Sequence, residues 1–563
     1  MRIRKLLFVL VIATVLLAAC GPTPEPEIVE VEKVVKETQV VKETVVVEKE
    51  ATAEVVEKVV KETVVVEKEL VVTPTPEPVA AEPQRGGTLN MSLGPDFVTF
   101  DPYYEVTAWR FKTVIYDTVV HLSPEGVIEP WLAESFEVSD DGLSITLHMR
   151  KGVKFHNGRE MTADDIIWSI DRARDQDIGH HAGDYFTTCT GATKIDDYTV
   201  QVNYSQVTHS ALDGLARLFI FPQEALDDIE TMAVGTGPFK WEEWVPGDHL
   251  TLVRNEDYWR EGLPYLDRIV VKPIPDVQAR MLNLLAESVD LLSGVPWADI
   301  ELLESQPEIT IVRQVPGYTF DSFVFNVTRP PFDNTLVRQA MNYAVDREKM
   351  RELAYHGQAV MTQLPIPEVS WAYPGDLANY YTFDLDKAKE LLAEAGYPDG
   401  FEMEMVIRGT GGILLDLAQV YQESLAKIGI DMEILPTELP QYWPILFDSD
   451  FGIVAHNSGM VSIDPALFFE GAAPYRPFRN FFQITENKEW FPRYEEVLNL
   501  GKSEMDQEKR EELYHEAFAI ALEQGWTITL GYRQEIYATT DVVRGFKTDL
   551  EGMCWLDEVW LAK

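Results

Sequence analysis

Residues Tyr116 to Arg174 read YDTVVHLSPEGVIEPWLAESFEVSDDGLSITLHMRKGVKFHNGREMTADDIIWSIDRAR, a stretch in which strand and turn signals alternate and then give way to a helix. Ser123-Pro124-Glu125-Gly126 carries the composition of a turn. Asp140-Asp141-Gly142 predicts a hairpin between Phe136–Val138 and Ser144–Met149, where apolar and polar side chains alternate with the period of a half-buried strand. His156-Asn157-Gly158 predicts a second tight turn, because Asn and Gly adopt positive φ at little cost. Thr162 is placed to cap a helix, with Asp165 three residues on as its reciprocal partner and Ile166, Ile167, Trp168 and Ile170 on the apolar side. The local prediction is therefore an antiparallel β unit followed by a helix, and it carries no function by itself.

The wording of the stretch carries more. PWLAESFEVSDDG, followed by LHMRKGVKFHNGREMTADD, closely resembles the fingerprint of the family 5 extracellular solute-binding proteins, the peptide-, oligopeptide- and nickel-binding receptors of ABC importers. Further segments share that resemblance: Gly86-Gly87-Thr88-Leu89, Phe100-Asp101-Pro102, Gly235-Thr236-Gly237-Pro238-Phe239, Leu252 to Trp259, and Pro330-Pro331-Phe332-Asp333-Asn334. The resemblance implies an α/β, two-lobed, periplasmic-binding-protein-like clamshell with an extra β subdomain in its first lobe. It implies a first lobe over 86–320, a second α/β lobe over 321–530 entered around Phe323–Asn334, and a return to the first lobe over 531–563. Read from the residues themselves, Asp384–Gly396 and Leu415–Ile428 are helices, Phe401–Ile407 and Ile430–Leu435 strands, and Gln278–Leu292 an amphipathic segment.

Upstream of Gly86 the chain is of another kind. Arg2, Arg4 and Lys5 precede an apolar run, Leu6 to Leu17, too short to span a bilayer, and Leu17-Ala18-Ala19-Cys20 matches a bacterial lipobox. Residues 1–20 are thus expected to be a signal segment and Cys20 the lipid attachment point, anchoring the protein on the outer face of the membrane or in the periplasm. Residues 21–85 are a Pro-flanked tether with an internal repeat: VEKVVKET at 31–38 returns at 56–63, and VVVEKE at 45–50 returns at 64–69. Counted in heptads, half of the d positions are Glu, which makes a poor coiled-coil seam and favours a solvated spacer, with a self-associating stalk as the alternative.

The net charge of -45 excludes nucleic acid as a partner, since phosphates require a basic surface. No G-x-S-x-G or H-E-x-x-H motif occurs, so the expectation is a binder and not an enzyme. Gly235-x-Gly237 lacks the third glycine of a nucleotide cradle. Three cysteines without C-x-x-C spacing exclude the usual structural zinc site; Cys189 and Cys554 are open to either a disulfide or two free thiols. His180, His181 and Asp184 are a weak metal pattern, because adjacent histidines cannot share a helix face. No metal and no cofactor are expected.

For the site, the resemblance implies that Arg408, at a strand end beside Gly409-Thr410-Gly411-Gly412, pairs with the carboxylate of a bound peptide; the guanidinium fork suits that task. Relatives hold the peptide amino group with an Asp three residues before the aspartate of Asp464-Pro465, and here that position is Val461. His456 and Asn457 open this segment and are candidate ligand contacts. Tyr104 and Trp109, near the Asp101-Pro102 turn, are weaker candidates. Trp371 and Trp443, in Pro-rich surroundings, could line a side-chain pocket or stack on a sugar. The expected ligand is a peptide, with an oligosaccharide as the alternative, and the expected partner is an ABC permease.

Overall fold

The computed structural model describes residues 82–104, 108–175, 183–314, 319–459, 463–466, 489 and 491–562. The expected signal segment, its Cys20 and nearly all of the expected tether lie outside the described residues, as do His180, His181 and Val461.

Two sheets organise the chain. The first runs, in spatial order, Ile309–Arg313, Ile536–Thr540, Leu291–Ser293, Thr88–Leu93, Arg268–Pro273, His249–Arg254 and Phe239–Val245. Its central three strands, Leu291–Ser293, Thr88–Leu93 and Arg268–Pro273, are parallel, and the outer ones pair antiparallel. Thr88–Leu93 shows why it sits in the middle: Leu89 and Met91 are fully buried, and Ser92 on the opposite face is buried as well, so both faces are covered. The second sheet runs Val360–Met361, Thr527–Tyr532, Thr319–Phe325, Ile453–Gly459, Glu402–Arg408 and Asp431–Thr437. Here Ile453–Gly459, Glu402–Arg408 and Asp431–Thr437 are the parallel trio. Each sheet has its own apolar core.

The stretch from Tyr116 to Arg174 folds as its pattern predicts. Val120–Leu122 and Ile128–Pro130 pair around Gly126, whose φ of 79° is one that glycine adopts without strain. Ala133–Val138 and Ser144–Met149 pair around Gly142 and join Thr199–Tyr204 and Cys189–Asp196 in a four-stranded antiparallel sheet, the extra β subdomain. Ile145, Leu147 and Met149 alternate inward with Val200, Val202 and Tyr204, and all six are buried. The helix Ala163–Arg174 presents Ile166, Ile170 and Ala173 to the same core. At its start the Asp165 carboxylate accepts the Thr162 backbone N–H at 2.9 Å, closing the capping box. Truncation of Leu147 to alanine in this core would cost about 2–5 kcal/mol.

The structure moves several expected boundaries. Thr319–Phe325 already lies in the second sheet, so the chain enters that lobe between Arg313 and Thr319, ahead of Phe323–Asn334. Thr527–Tyr532 is still a strand of the second sheet, and the return begins only at Ile536. The amphipathic segment from Gln278 splits into a helix, Val277–Leu285, and a short strand, Leu291–Ser293, because Glu287, at positive φ, turns the chain between them. Cys189 and Cys554 are both buried free thiols, so the disulfide alternative falls; burial pushes the Cys554 thiol up to about 12. No helix among the described residues is long and apolar enough to cross a membrane.

The two passages between lobes run side by side. The Gln314 N–H donates to Glu535 O at 3.0 Å and the Arg533 N–H to Thr319 O at 2.8 Å. Beneath them Asp321, with no solvent exposure, accepts from Arg533 Nε at 2.7 Å, from Arg533 Nη2, and from the Tyr355 hydroxyl at 2.8 Å. This ion pair ties the start of Thr319–Phe325 to the residue that follows Thr527–Tyr532, at the place where the described chain passes between the two sheets.

Candidate ligand-binding site

In open α/β sheets, ligands sit outside the carboxyl ends of the parallel strands. In the second lobe those ends are Arg408, Thr437 and the neighbourhood of Asn457. Met403, Met405 and Ile407 bury alternate positions of Glu402–Arg408 and carry Arg408 to the strand's last place. Immediately after it, Gly409 and Thr437 exchange backbone hydrogen bonds at 2.8 and 3.2 Å, which ends the pairing. Gly409 and Gly412 both stand at positive φ, and a Cβ added at Gly409, Gly411 or Gly412 would meet nothing within 4 Å. The loop is therefore bordered by open space, and it leads into the N-terminus of the 14-residue helix Ile413–Ala426. Unpaired N–H groups and the helix dipole favour negative charge there.

Arg408 is held by two contacts. Its Nη1 donates to Asn457 Oδ1 on the adjacent parallel strand, and its guanidinium lies 5.3 Å from the centre of the Trp443 ring, which belongs to the helix Leu439–Phe447. No carboxylate among the described residues pairs with it, so its charge and its remaining N–H donors are unspent. His456 lies one residue before Asn457 and points the other way, as successive strand residues do. It is 1% exposed, stacks parallel to Tyr442 at 5.9 Å, and shares a 2.8 Å hydrogen bond between Nδ1 and the Tyr442 hydroxyl. Burial, helped by the Arg408 charge, pushes the His456 imidazole down to about 3, so the ring is neutral at physiological pH. His456 thus buttresses Trp443, whose ring meets it edge-on at 6.1 Å, while Arg408 is the site's positive charge.

Arg408, Asn457, His456 and Trp443 therefore form one cluster. Trp371 and Tyr104 do not join it. Trp371 packs under Arg510 at 5.0 Å and beside Tyr514 at 6.2 Å. That arginine is paired to Asp464 at 2.7 and 2.8 Å, so the Asp464-Pro465 aspartate and Trp371 belong to a structural knot and not to a pocket. Tyr104 is 43% exposed and its ring centre lies 5.9 Å from the guanidinium of Arg172, which is bound to Asp101. Trp109 opens the short helix Trp109–Val114, and its side chain lies outside those described. No group of three or more metal-ligating side chains occurs among the described residues. Tyr442, which its Pro-rich surroundings also offered as a pocket aromatic, is instead buried as the hydrogen-bond partner of His456, and the buried Asp321–Arg533 pair is one that the sequence reading did not find.

Comparison with known proteins bears on this geometry. Residues 127–476 match the model of the bacterial extracellular solute-binding proteins, family 5 (middle). The chain is 35% identical over 347 residues to heme-binding protein A of Haemophilus influenzae, spanning 56% of this chain and 63% of that protein. It is 30% identical over 361 residues to the glutathione-binding protein GsiB of Salmonella choleraesuis, spanning 62% of this chain and 70% of that one. The structure superimposes on the periplasmic binding protein DppA of Helicobacter pylori in complex with the peptide STSA with a TM-score of 0.72 and 28% identity, covering 85% of this chain and 99% of that one.

Proposed function

We propose that this chain, which belongs to the bacterial extracellular solute-binding proteins of family 5, captures a short peptide between its lobes by closing where the two passages between the sheets meet, at Gln314 and Arg533–Glu535, and delivers it to an ABC permease. The observation that carries the reading is Arg408: a guanidinium held in place by Asn457 and Trp443, with donors unspent, at the carboxyl end of a parallel strand and beside an open helix N-terminus. Such an arrangement is built for a carboxylate. The peptide complex of the superimposable Helicobacter protein and the glutathione-binding name of the Salmonella relative point to the same ligand chemistry. Trp371 is committed to the Arg510 knot, and among the described side chains Trp443 is the indole beside Arg408, which favours a peptide over the sugar-stacking alternative. Cys20 is proposed as the lipid-bearing residue that keeps the receptor at the membrane, with 21–85 as the tether between lipid and lobes.

The test is calorimetric titration of glutathione and of triglycine, each as the free acid and as its C-terminal amide. Binding near micromolar affinity, about 8 kcal/mol, that weakens at least tenfold on amidation supports the reading. Equal affinity for acid and amide would remove Arg408 from its role, and no binding of any peptide would remove the peptide assignment.

A further inference from the structure

The first lobe repeats the second lobe's arrangement with a different arginine. Its parallel strands Leu291–Ser293, Thr88–Leu93 and Arg268–Pro273 end at Gly294, Gly94 and Ile274. Arg280, on the helix Val277–Leu285, folds its guanidinium back over those ends. Its Nη1 donates to Ile274 O at 2.7 Å and to Pro275 O at 3.1 Å. A Cβ on Gly94 would crowd Nη1 at 3.1 Å, and Gly294 lies close by, where a Cβ would stand 3.8 Å from Nη2, so two strand ends come up against the guanidinium.

Arg280 is 8% exposed, yet its donors are not used up. Nε is sealed from solvent without a hydrogen-bond partner, and Nη2 makes no hydrogen bond among the described residues. No described carboxylate lies within ion-pairing distance. The acidic groups facing it are engaged elsewhere: Asp276 caps its own helix through the Ala279 N–H at 2.7 Å, and Glu535 pairs with Arg110 at 3.3 Å. Burial accordingly holds the Arg280 guanidinium below the usual arginine range. Arg338, also buried without a carboxylate, shows the contrast, since it distributes its donors over Phe332 O, Gln524 O and Thr335 Oγ1. A largely buried cation whose Nη2 is unspent, at the carboxyl ends of a parallel sheet, is poised for an anion.

We propose that Arg280 is the first lobe's anion-recognition residue, and that the solute carries two separated carboxylates, one for each lobe's arginine. The inference rests on the reading of Arg408 as a peptide-carboxylate site and extends it to the ligand's second charge. Closure would then bring the two arginines onto opposite ends of one ligand, and a diacid would hold the lobes together as a monoacid cannot.

The experiment titrates wild type, Arg280→Gln and Arg280→Lys with triglycine peptides carrying Glu at each position in turn, and with the matching Gln peptides. Wild type is expected to prefer Glu to Gln about tenfold or more at one position. Arg280→Gln should bring that ratio to within about twofold, by weakening the Glu peptides far more than the Gln peptides, and Arg280→Lys should retain part of it. A Glu/Gln ratio near one in wild type, a ratio that survives in Arg280→Gln, or equal weakening of both peptides in that variant overturns the inference and leaves the Arg408 reading standing. Failure of wild type to bind any of these peptides overturns both. Should Arg280→Gln not fold, as shown by loss of its thermal transition, the wild-type ratio and the Arg280→Lys ratio decide.

Discussion

Asp321→Asn is the substitution that tests the passage between the lobes. Asp321 has no solvent exposure and accepts two charge-assisted hydrogen bonds from Arg533 and one from the Tyr355 hydroxyl. Asparagine keeps the shape and removes the charge, leaving the Arg533 cation beside a neutral amide whose NH2 faces a donor. Breaking a buried pair by removing one partner costs about 3–5 kcal/mol. The Arg533 side chain is 24% exposed, so water recovers part of its solvation and the lower end, about 3 kcal/mol, is expected. For a lobe of this size each kcal/mol lowers the thermal midpoint by about 2–4 °C, which predicts a fall of about 6–12 °C in scanning calorimetry of the ligand-free receptor. The control is Asp450→Asn, whose pair with Arg329 is exposed on both sides and is worth at most about 1 kcal/mol. Replacing both members, Asp321→Asn with Arg533→Met, should recover much of the loss, because no charge is then stranded. A single-variant midpoint within about 2 °C of wild type would refute the claim that this buried pair stabilises the passage between the lobes.

Other consequences are equally direct. Arg408→Ala should weaken peptide binding by about 1.5–3 kcal/mol, roughly 10- to 150-fold by calorimetry, and unchanged affinity would exclude it from the site. The His456 imidazole, pushed down to about 3 in the fold against an unfolded value near 6.5, contributes stability that is complete above pH 6.5 and is lost as pH falls toward 3. Denaturant titrations at pH 7 and pH 5 should therefore show about 2 kcal/mol less pH-dependent loss in His456→Phe than in wild type; equal losses would contradict a buried neutral ring. In the receptor from residue 82 onward, aromatic-disulfide reagents should find no reactive thiol in the native state and two in denaturant, whereas no reactive thiol in denaturant without reductant would restore the disulfide. Cys20→Ser should release the full-length protein from membranes, and membrane association that persists through a high-salt wash would dispose of the lipid anchor.

The elements that sequence made legible are those whose causes are local. The hairpin at Asp140–Gly142, the capping box of Thr162 and Asp165, and the alternating strand at Thr88–Leu93 each depend on residues within a few positions of one another, and each forms where the pattern places it. The place of Arg408 at a strand end before a glycine-rich loop was legible locally, whereas its pairing with a ligand carboxylate was implied by the family resemblance and stands as a proposal. Boundaries slipped where tertiary pairing decides them: Thr527–Tyr532 reads as a strand, but only its partner Thr319–Phe325 assigns it to the second sheet. Trp371 misled because a tryptophan in a Pro-rich loop has the same local signature whether it faces solvent, ligand or an arginine; Arg510, which covers it, comes from a distant helix. Asp321 and Arg533 are 212 residues apart, and nothing in either neighbourhood announces the pair. The neutral state of His456 likewise depends on its burial against Tyr442, which the sequence spacing of 14 residues does not reveal.

The central claim is that the lobes close on a peptide. Native mass spectrometry of the purified receptor from residue 82 onward, followed by release and fragmentation of whatever remains bound, tests it most directly. The account predicts a one-to-one complex whose released component fragments as a short peptide with a free carboxyl terminus, enriched in acidic residues. A released saccharide, or a bound species without a carboxylate, would contradict it.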